Sequence, residues 1–327
     1  MTTSTTTAWT QSRYGGPEVL VRTTVPRSLP GADDVLIEVE ACSLNSADVR
    51  IMRGDPALIR LAFGLRRPKT PVPGRDVAGR VAAVGSAVTQ WKVGDRVVGE
   101  LSGGGLGAEV VASAAKLVAI PAELSSEVAA ALPLAGGTAW QALDLGGVVA
   151  GSRVLIVGAG GGVGTLAVRL AVLRGAIVDA LCGARAIEVV AGLGAARVDD
   201  YRTTDLSARA EAGYDSVIDI GGSVPLRTLQ GLVRDGGTVV GVSGGANRVF
   251  GPLGRMLRAA VLSIGSRRRL RSLAAVGKTE ISAQLIDLAA RGDLVPHIER
   301  TWSIDHAREA IAHVDAGHTV GKVIVRH

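Results

Sequence analysis

The chain has 327 residues, 47% of them apolar and only 3% aromatic, with 44 glycines and a formal net charge of +6. That length fills one large domain or two with ample core, and the composition is that of a soluble α/β protein. No apolar run is long enough to span a bilayer and no signal peptide is visible. Two cysteines, Cys42 and Cys182, make neither a disulfide framework nor a metal cage, so a reducing cytoplasm is the expected setting.

The polar start MTTSTTT is expected to fray. Residues 8–45 alternate in a β manner, and Val35–Ala41 is a strand after the turn Pro30-Gly31-Ala32-Asp33. Val77–Val84, Asp95–Val98, Val110–Ala112 and Leu117–Ile120 continue as short strands broken by Gly85 and Gly94. Many short strands with glycine turns predict a partly open β-barrel. Ser125-Ser126-Glu127 resembles a helix start, and Thr138–Leu145 reads as a further helix.

Val154–Val157 is an apolar, β-branched run that suits a strand buried on both faces. A glycine cluster follows, with Gly158, Gly160, Gly161, Gly162 and Gly164, and then Val163, Leu166, Ala167 and Leu170 at helical spacing. Strand, glycine turn and helix in that order make the phosphate-binding corner of a doubly wound dinucleotide fold. The bland alternative is a helix packed tightly through its glycines. Ala176–Leu181 supplies a second strand. A cofactor with a free ribose 2′-hydroxyl meets an Asp or Glu about twenty residues past the motif. Here the region reads Cys182-Gly183-Ala184-Arg185, and Asp179 lies too early, inside the strand. The planar fork of an arginine suits a 2′-phosphate, so NADPH is expected rather than NADH, unless Arg185 is only a solvated residue at a helix start.

Further strands are expected near Arg197, at Ser216–Asp219 and at Thr238–Val242. The turns after the last two, with Ile220, Gly221, Val242 and Ser243, should face the cofactor, because ligands lie beyond the carboxyl ends of such strands. Arg255, Arg258, Arg267, Arg268, Arg269 and Arg271 crowd together. No aromatics interleave to stack bases, so a solvated or interface face is expected, with neither nucleic acid nor membrane as partner. Helices are expected at 280–291 and 304–316 and a closing strand at Lys322–Val325, in a segment that returns to the first domain.

The segments Arg13–Leu20, Ser43–Gly54, Pro71–Gly85, Val93–Glu100, Ala129–Leu143, Gly158–Gly164 and Gly317–Val325 run nearly end to end. Together they resemble the zinc-independent, quinone oxidoreductase-like branch of the medium-chain dehydrogenases/reductases. The resemblance implies a GroES-like domain at 1–124, a Rossmann domain for NADPH at 125–272, and a return segment at 273–327. It also implies a homodimer and a quinone, enone or other carbonyl as substrate. A zinc-free alcohol dehydrogenase or ketoreductase, and a non-catalytic NADPH-binding protein, are the alternatives.

Zinc-dependent relatives carry Cys where this chain has Asn45, and His where it has Arg75 in Gly74-Arg75-Asp76. No metal is therefore expected. The resemblance places Asn45 and Asp48 beside nicotinamide and substrate, Asn45 as an uncharged amide donor and Asp48 as an orienting group. It places Thr138 on the nicotinamide side, Tyr201 near the adenosine phosphate and Lys322 near the cofactor; an ordinary half-buried tyrosine and a strand-end lysine are the plain alternatives. Arg50 stands where some quinone reductases have Tyr, which leaves the proton donor open and allows an acidic substrate or a solvent-facing arginine. Tyr14 is expected to be a structural turn residue. Ser102–Ala108, SGGGLGA, is expected to be a mobile, less aromatic wall of the substrate pocket.

Overall fold

The structure is a computed structural model that describes residues 4–242, 251 and 253–327. The chain divides into two compact units, Met1–Leu134 with Gly277–His327, and Ala135–Val276. The boundaries fall at 134/135 and 276/277 rather than at 124/125 and 272/273.

In the first unit, β1 (Thr5–Thr10) pairs antiparallel with β2 (Val21–Pro26). The threonines from Thr5 onward are therefore strand residues rather than a frayed tail. Their β-branched side chains suit it, and the buried Trp9 anchors it by donating from Nε1 to the Ile304 carbonyl at 2.7 Å. There follow β3 (Asp34–Leu44), α1 (Ser46–Arg53), α2 (Arg60–Phe63), β4 (Asp76–Val84), β5 (Arg96–Glu100), β6 (Glu109–Ser113), β7 (Val118–Ala119) and α3 (Ser126–Ala130). α3 is capped by Ser125, whose hydroxyl accepts from Val128 N at 3.2 Å. It packs on β3, β4 and β5, which is why the first unit extends beyond residue 124.

The second unit begins within α4 (Pro133–Leu145), which starts at its proline rather than at Thr138, a favoured first helical position. Then come β8 (Arg153–Val157), α5 (Gly162–Leu173), β9 (Ile177–Cys182), α6 (Ile187–Gly192), β10 (Arg197–Asp200), β11 (Tyr214–Asp219), α7 (Leu226–Leu232), β12 (Val233–Gly241), α8 (Leu253–Ser263) and β13 (Arg269–Ser272). All six strands are parallel, in the order β10-β9-β8-β11-β12-β13. That is the doubly wound dinucleotide topology, with its reversal point between β8 and β11. β13 was hidden in the sequence because only Leu270 of its four residues turns inward.

The chain re-enters the first unit through α9 (Thr279–Ala290), β14 (Ile298–Ser303), α10 (Ala307–Asp315) and β15 (Lys322–Arg326). The sheet there runs β14-β15-β3-β4-β5-β7, with β6 also on β3. β3 is long enough to serve three partners. Its first half pairs with β6, its second half with β15, and its other edge with β4. Two register shifts against β4 bend it around an aliphatic core of Val35, Ile37, Val39, Val77, Val81 and Val97. A second cluster joins Leu44, Met52 and Leu106 to Ile311, Val323 and Val325 from the return segment.

The glycine segment Ser102–Ala108 is not the mobile loop expected. Residues 103–107 are buried, and Leu106 is fully so. Their backbone is sewn to Val72, Pro73 and Gly74 by bonds of 2.8 to 3.0 Å. Gly103 and Gly104 take positive φ, at 145° and 104°, whereas closeness explains Gly105: a Cβ there would sit 2.4 Å from Cys42 Sγ. Gly105→Ala should therefore destabilise the protein by about 1–3 kcal/mol through overpacking. Cys42→Ala in the same chain should recover part of that loss. Denaturant midpoints of the two single variants and the double variant check this, and strict additivity would contradict it.

Candidate active site

β3 ends at Leu44, and Asn45 turns the chain into α1. The Asp48 carboxylate, in the first turn of that helix, accepts from Asn45 N at 2.8 Å. The Asn45 side chain points inward and is 7% exposed. Its Nδ2 donates to Asp76 Oδ2 at 2.9 Å and to the Ser43 carbonyl at 3.2 Å. Its Oδ1 accepts from Lys322 Nζ at 2.5 Å. Asp76 in turn accepts from Leu134 N at 3.1 Å and lies 3.9 Å from the Lys322 ammonium. Asn45, Asp48, Asp76 and Lys322 thus form one buried polar network.

Both amide hydrogens of Asn45 are already donated. The donor role expected for it toward a substrate would require one of these bonds to break. Asp76 went unnoticed in the sequence; a carboxylate opening a strand rich in valine and alanine was the available signal. Burial pushes the Asp76 carboxyl up to about 7 against the Lys322 charge and the Asn45 bond, which favour its ionised form. Burial also raises Asp48 and pulls Lys322 down. Burial pushes the Cys42 thiol well up, consistent with a packing residue between glycines. Arg75 does not enter the network by hydrogen bonds: its guanidinium donates to Glu100 at 2.8 Å and to the Leu101 carbonyl at 3.1 Å. Arg50 is exposed on α1. Tyr14 is structural, its hydroxyl bonded to the Gly64 carbonyl and its ring under Arg60 at 4.6 Å.

In the second unit, Gly158 makes the turn after β8 with φ +84°, and a Cβ there would meet Gly221 N at 2.7 Å. Gly164 lets α5 settle on the strand, since a Cβ would lie 2.3 Å from the Gly158 carbonyl oxygen. At Gly161, the residue before α5, nothing lies within 4 Å of where a Cβ would stand. The helix start is thus open to a group that approaches the backbone closely, which fits a dinucleotide pyrophosphate. The working spacing is Gly158, Gly161, Gly164, with Gly160 packed against Ala186. Ile220 and Gly221 bond back to the Val157 carbonyl and adjoin this turn, and Val242 N donates to the Asp219 carbonyl at 2.9 Å. Thr138 lies half-buried on α4. Ser243, with Gly244 and Gly245, falls outside the described residues.

Arg185 is exposed in the turn after β9. Tyr201 N donates to the Cys182 carbonyl at 3.0 Å, which brings the tyrosine beside Gly183. Arg202, which the sequence reading missed, donates from Nε to Tyr201 Oη at 3.3 Å. Two nearby acids are engaged elsewhere and a third within the Arg202 turn itself. Asp179 accepts from the buried Tyr214 hydroxyl at 2.5 Å, Asp199 pairs with Arg209, and Asp200 accepts from Arg202 N at 3.0 Å. Arg255, expected on a solvated face, instead pairs at 2.7 Å with Asp219, a fully buried acid that needs a counter-charge.

Comparison with known proteins fits both halves. Residues 31–122 match the alcohol dehydrogenase GroES-like domain and residues 193–325 the zinc-binding dehydrogenase model. A chloroplast envelope quinone oxidoreductase homolog of Arabidopsis thaliana is 36% identical over 324 residues, 95% of each chain. The chain belongs to the medium-chain dehydrogenase/reductase family. A chloroplastic quinone oxidoreductase of Triphysaria versicolor is equally similar, at 36% over 95% of each chain. The solved quinone oxidoreductase of Coxiella burnetii superposes with a TM-score of 0.87 at 27% identity, covering 99% of this chain and all of that one. This member of the family is an NAD(P)H-dependent oxidoreductase.

One of the matching family models is named for zinc, and the residues here do not fit that ion. Zinc takes thiolate, imidazole or carboxylate donors. At the two ligand positions stand Asn45, whose carbonyl oxygen already holds an ammonium, and Arg75, itself a cation.

The raised Asp76 group gives the stability of this oxidoreductase a defined pH dependence. Its folded-state value lies above the unfolded one, so the folded chain holds the extra proton between about 4 and 7. Relative to an Asp76→Asn variant, the parent should lose stability as pH rises through that window, and the difference should level off above it. Denaturant unfolding of both proteins across the range checks the sign.

Proposed function

We propose that this oxidoreductase is an NADPH-dependent, zinc-free reductase of quinones or α,β-unsaturated carbonyls. The observation that carries the cofactor choice is the meeting of two loops, Arg185 in the one after β9 and Tyr201 with Arg202 in the one after β10, joined by the Tyr201 N–H bond to the Cys182 carbonyl, while Asp179 and Asp199 are bonded to Tyr214 and Arg209. In this reading Gly160–Gly164 receive the pyrophosphate on the N-terminus of α5, and Arg185 and Arg202 grip the 2′-phosphate beside Tyr201. Thr138, Ile220, Gly221, Val242 and Ser243 complete the cofactor contacts. The bound nicotinamide supplies the hydride.

The first unit contributes Asn45 and Asp48, which act as positioning residues here rather than as donors. Lys322 and Asp76 hold the Asn45 amide in one orientation, and Asp48 fixes the start of α1. The names of the quinone oxidoreductase relatives support a quinone or enone acceptor. An acidic substrate loses its support, because Arg50 is exposed and makes no side-chain bond to a described residue. The homodimer and the cytoplasm belong to the same reading. An apolar stripe of Leu257, Val261 and Ile264 exposed along and just beyond α8 supports the dimer, and two buried free thiols support a reducing compartment.

Two measurements test this. NADPH should bind more tightly than NADH, and Arg185→Ala or Arg202→Ala should each narrow the gap by about 1.5–3 kcal/mol, the worth of one charge-assisted contact. Equal dissociation constants in the parent would refute the cofactor choice. NADPH oxidation should be supported by quinones and enones more than by simple ketones, and should be unchanged after chelation. Turnover of ketones alone would favour a ketoreductase, and activity that tracks bound zinc would overturn the metal-free reading.

A further inference from the structure

At the amino ends of the nucleotide-sheet strands lies a cavity of about 530 Å³, lined by the loop between α4 and β8 and by the first residues of β11, β12 and β13. The glycine corner is at the opposite, carboxyl end of β8, about 15 Å away along a five-residue strand. Leu270 and Val239 pack into the core on one face of β13 and β12. Alternation then sends Arg269, Arg271 and Thr238 to the other face, where they line the cavity. Thr238 pairs directly with Arg269 across the two strands.

The charges in this cavity do not cancel. Asp144 is bonded to Arg174 at 2.8 Å and Asp215 to Arg234. Arg269 and Arg271 have no side-chain partner among the described residues. Thr238 is 9% exposed, and its hydroxyl likewise has no partner there. Two guanidinium groups two residues apart on one strand, beside the Thr238 hydroxyl, offer planar donor forks to tetrahedral oxygen atoms.

We propose that this cavity is a second anion site, which binds a phosphate group through Arg269, Arg271 and Thr238. The ligand class is a phosphate monoester or inorganic phosphate, and the site is separate from the one that holds the cofactor. It gives the arginine cluster a ligand in place of bulk solvent.

The test uses inorganic phosphate and the NADPH-saturated protein at constant ionic strength, so that the cofactor corner is already filled. Equilibrium dialysis should show saturable uptake of about one phosphate per chain. Arg269→Gln/Arg271→Gln should weaken it at least tenfold and leave NADPH affinity unchanged. In the parent, phosphate should also slow phenylglyoxal labelling of Arg269 and Arg271, a readout that needs no variant. Competition by glycerol phosphate would identify a soluble ligand, and competition by phosphatidic acid vesicles but not by glycerol phosphate a lipid headgroup. No saturable uptake by the parent, equal uptake by the variant, or labelling indifferent to phosphate would each overturn the proposal. So would dissociation of a dimer in the variant with phosphate uptake unchanged, which would assign the arginines to a subunit contact.

Discussion

Lys322 carries an ammonium to a place where only 2% of it meets solvent, and three neighbouring strands are arranged to answer that charge. The lysine stands on β15, Asn45 directly follows β3, and Asp76 opens β4. Taking a cation out of water costs several kcal/mol even after relaxation, and it is tolerated only when its hydrogens find partners. Here a carbonyl oxygen of an amide, a backbone carbonyl and a carboxylate surround it. The same bonds remove the rotational freedom of the Asn45 side chain. The return segment therefore cannot be loosened without also releasing the Asn45 side chain.

The nucleotide half was legible because its physics is local. An apolar β-branched run, a glycine cluster and a helical repeat lie within about twenty residues, and each leaves a composition signal. What composition did not assign was which glycine does what. Gly164 is small because a carbonyl oxygen lies against it, whereas the space beside Gly161 is open. The segment Ser102–Ala108 misled for the same reason. Three successive glycines read as freedom, whereas Gly105 is a glycine because the Cys42 sulfur leaves no room for a methyl group.

The buried network was illegible because its partners are remote in the chain. Asn45 and Lys322 are 277 residues apart, and nothing near either one reveals that the amide is occupied. Arg255 was misread likewise. Six arginines in one stretch suggest solvation, yet this one has a buried acid 36 residues upstream. Asp219, Asp179 and Asp199 each take a partner of their own. Sequence could name the chemistry a side chain is able to perform, and the structure decides which of its bonds are already made.

The unit that holds Lys322 is interrupted by the whole nucleotide sheet. Its β15 lies between β14 and β3, not at an edge, so the first long strand of that unit waits for a segment made only after the whole nucleotide sheet. The nucleotide unit, continuous from Ala135 to Val276, has all its strands available well before that. Such distant pairings fold slowly and leave an edge of β3 open in the meantime. During synthesis, the half of the enzyme that begins first is thus the half that finishes last.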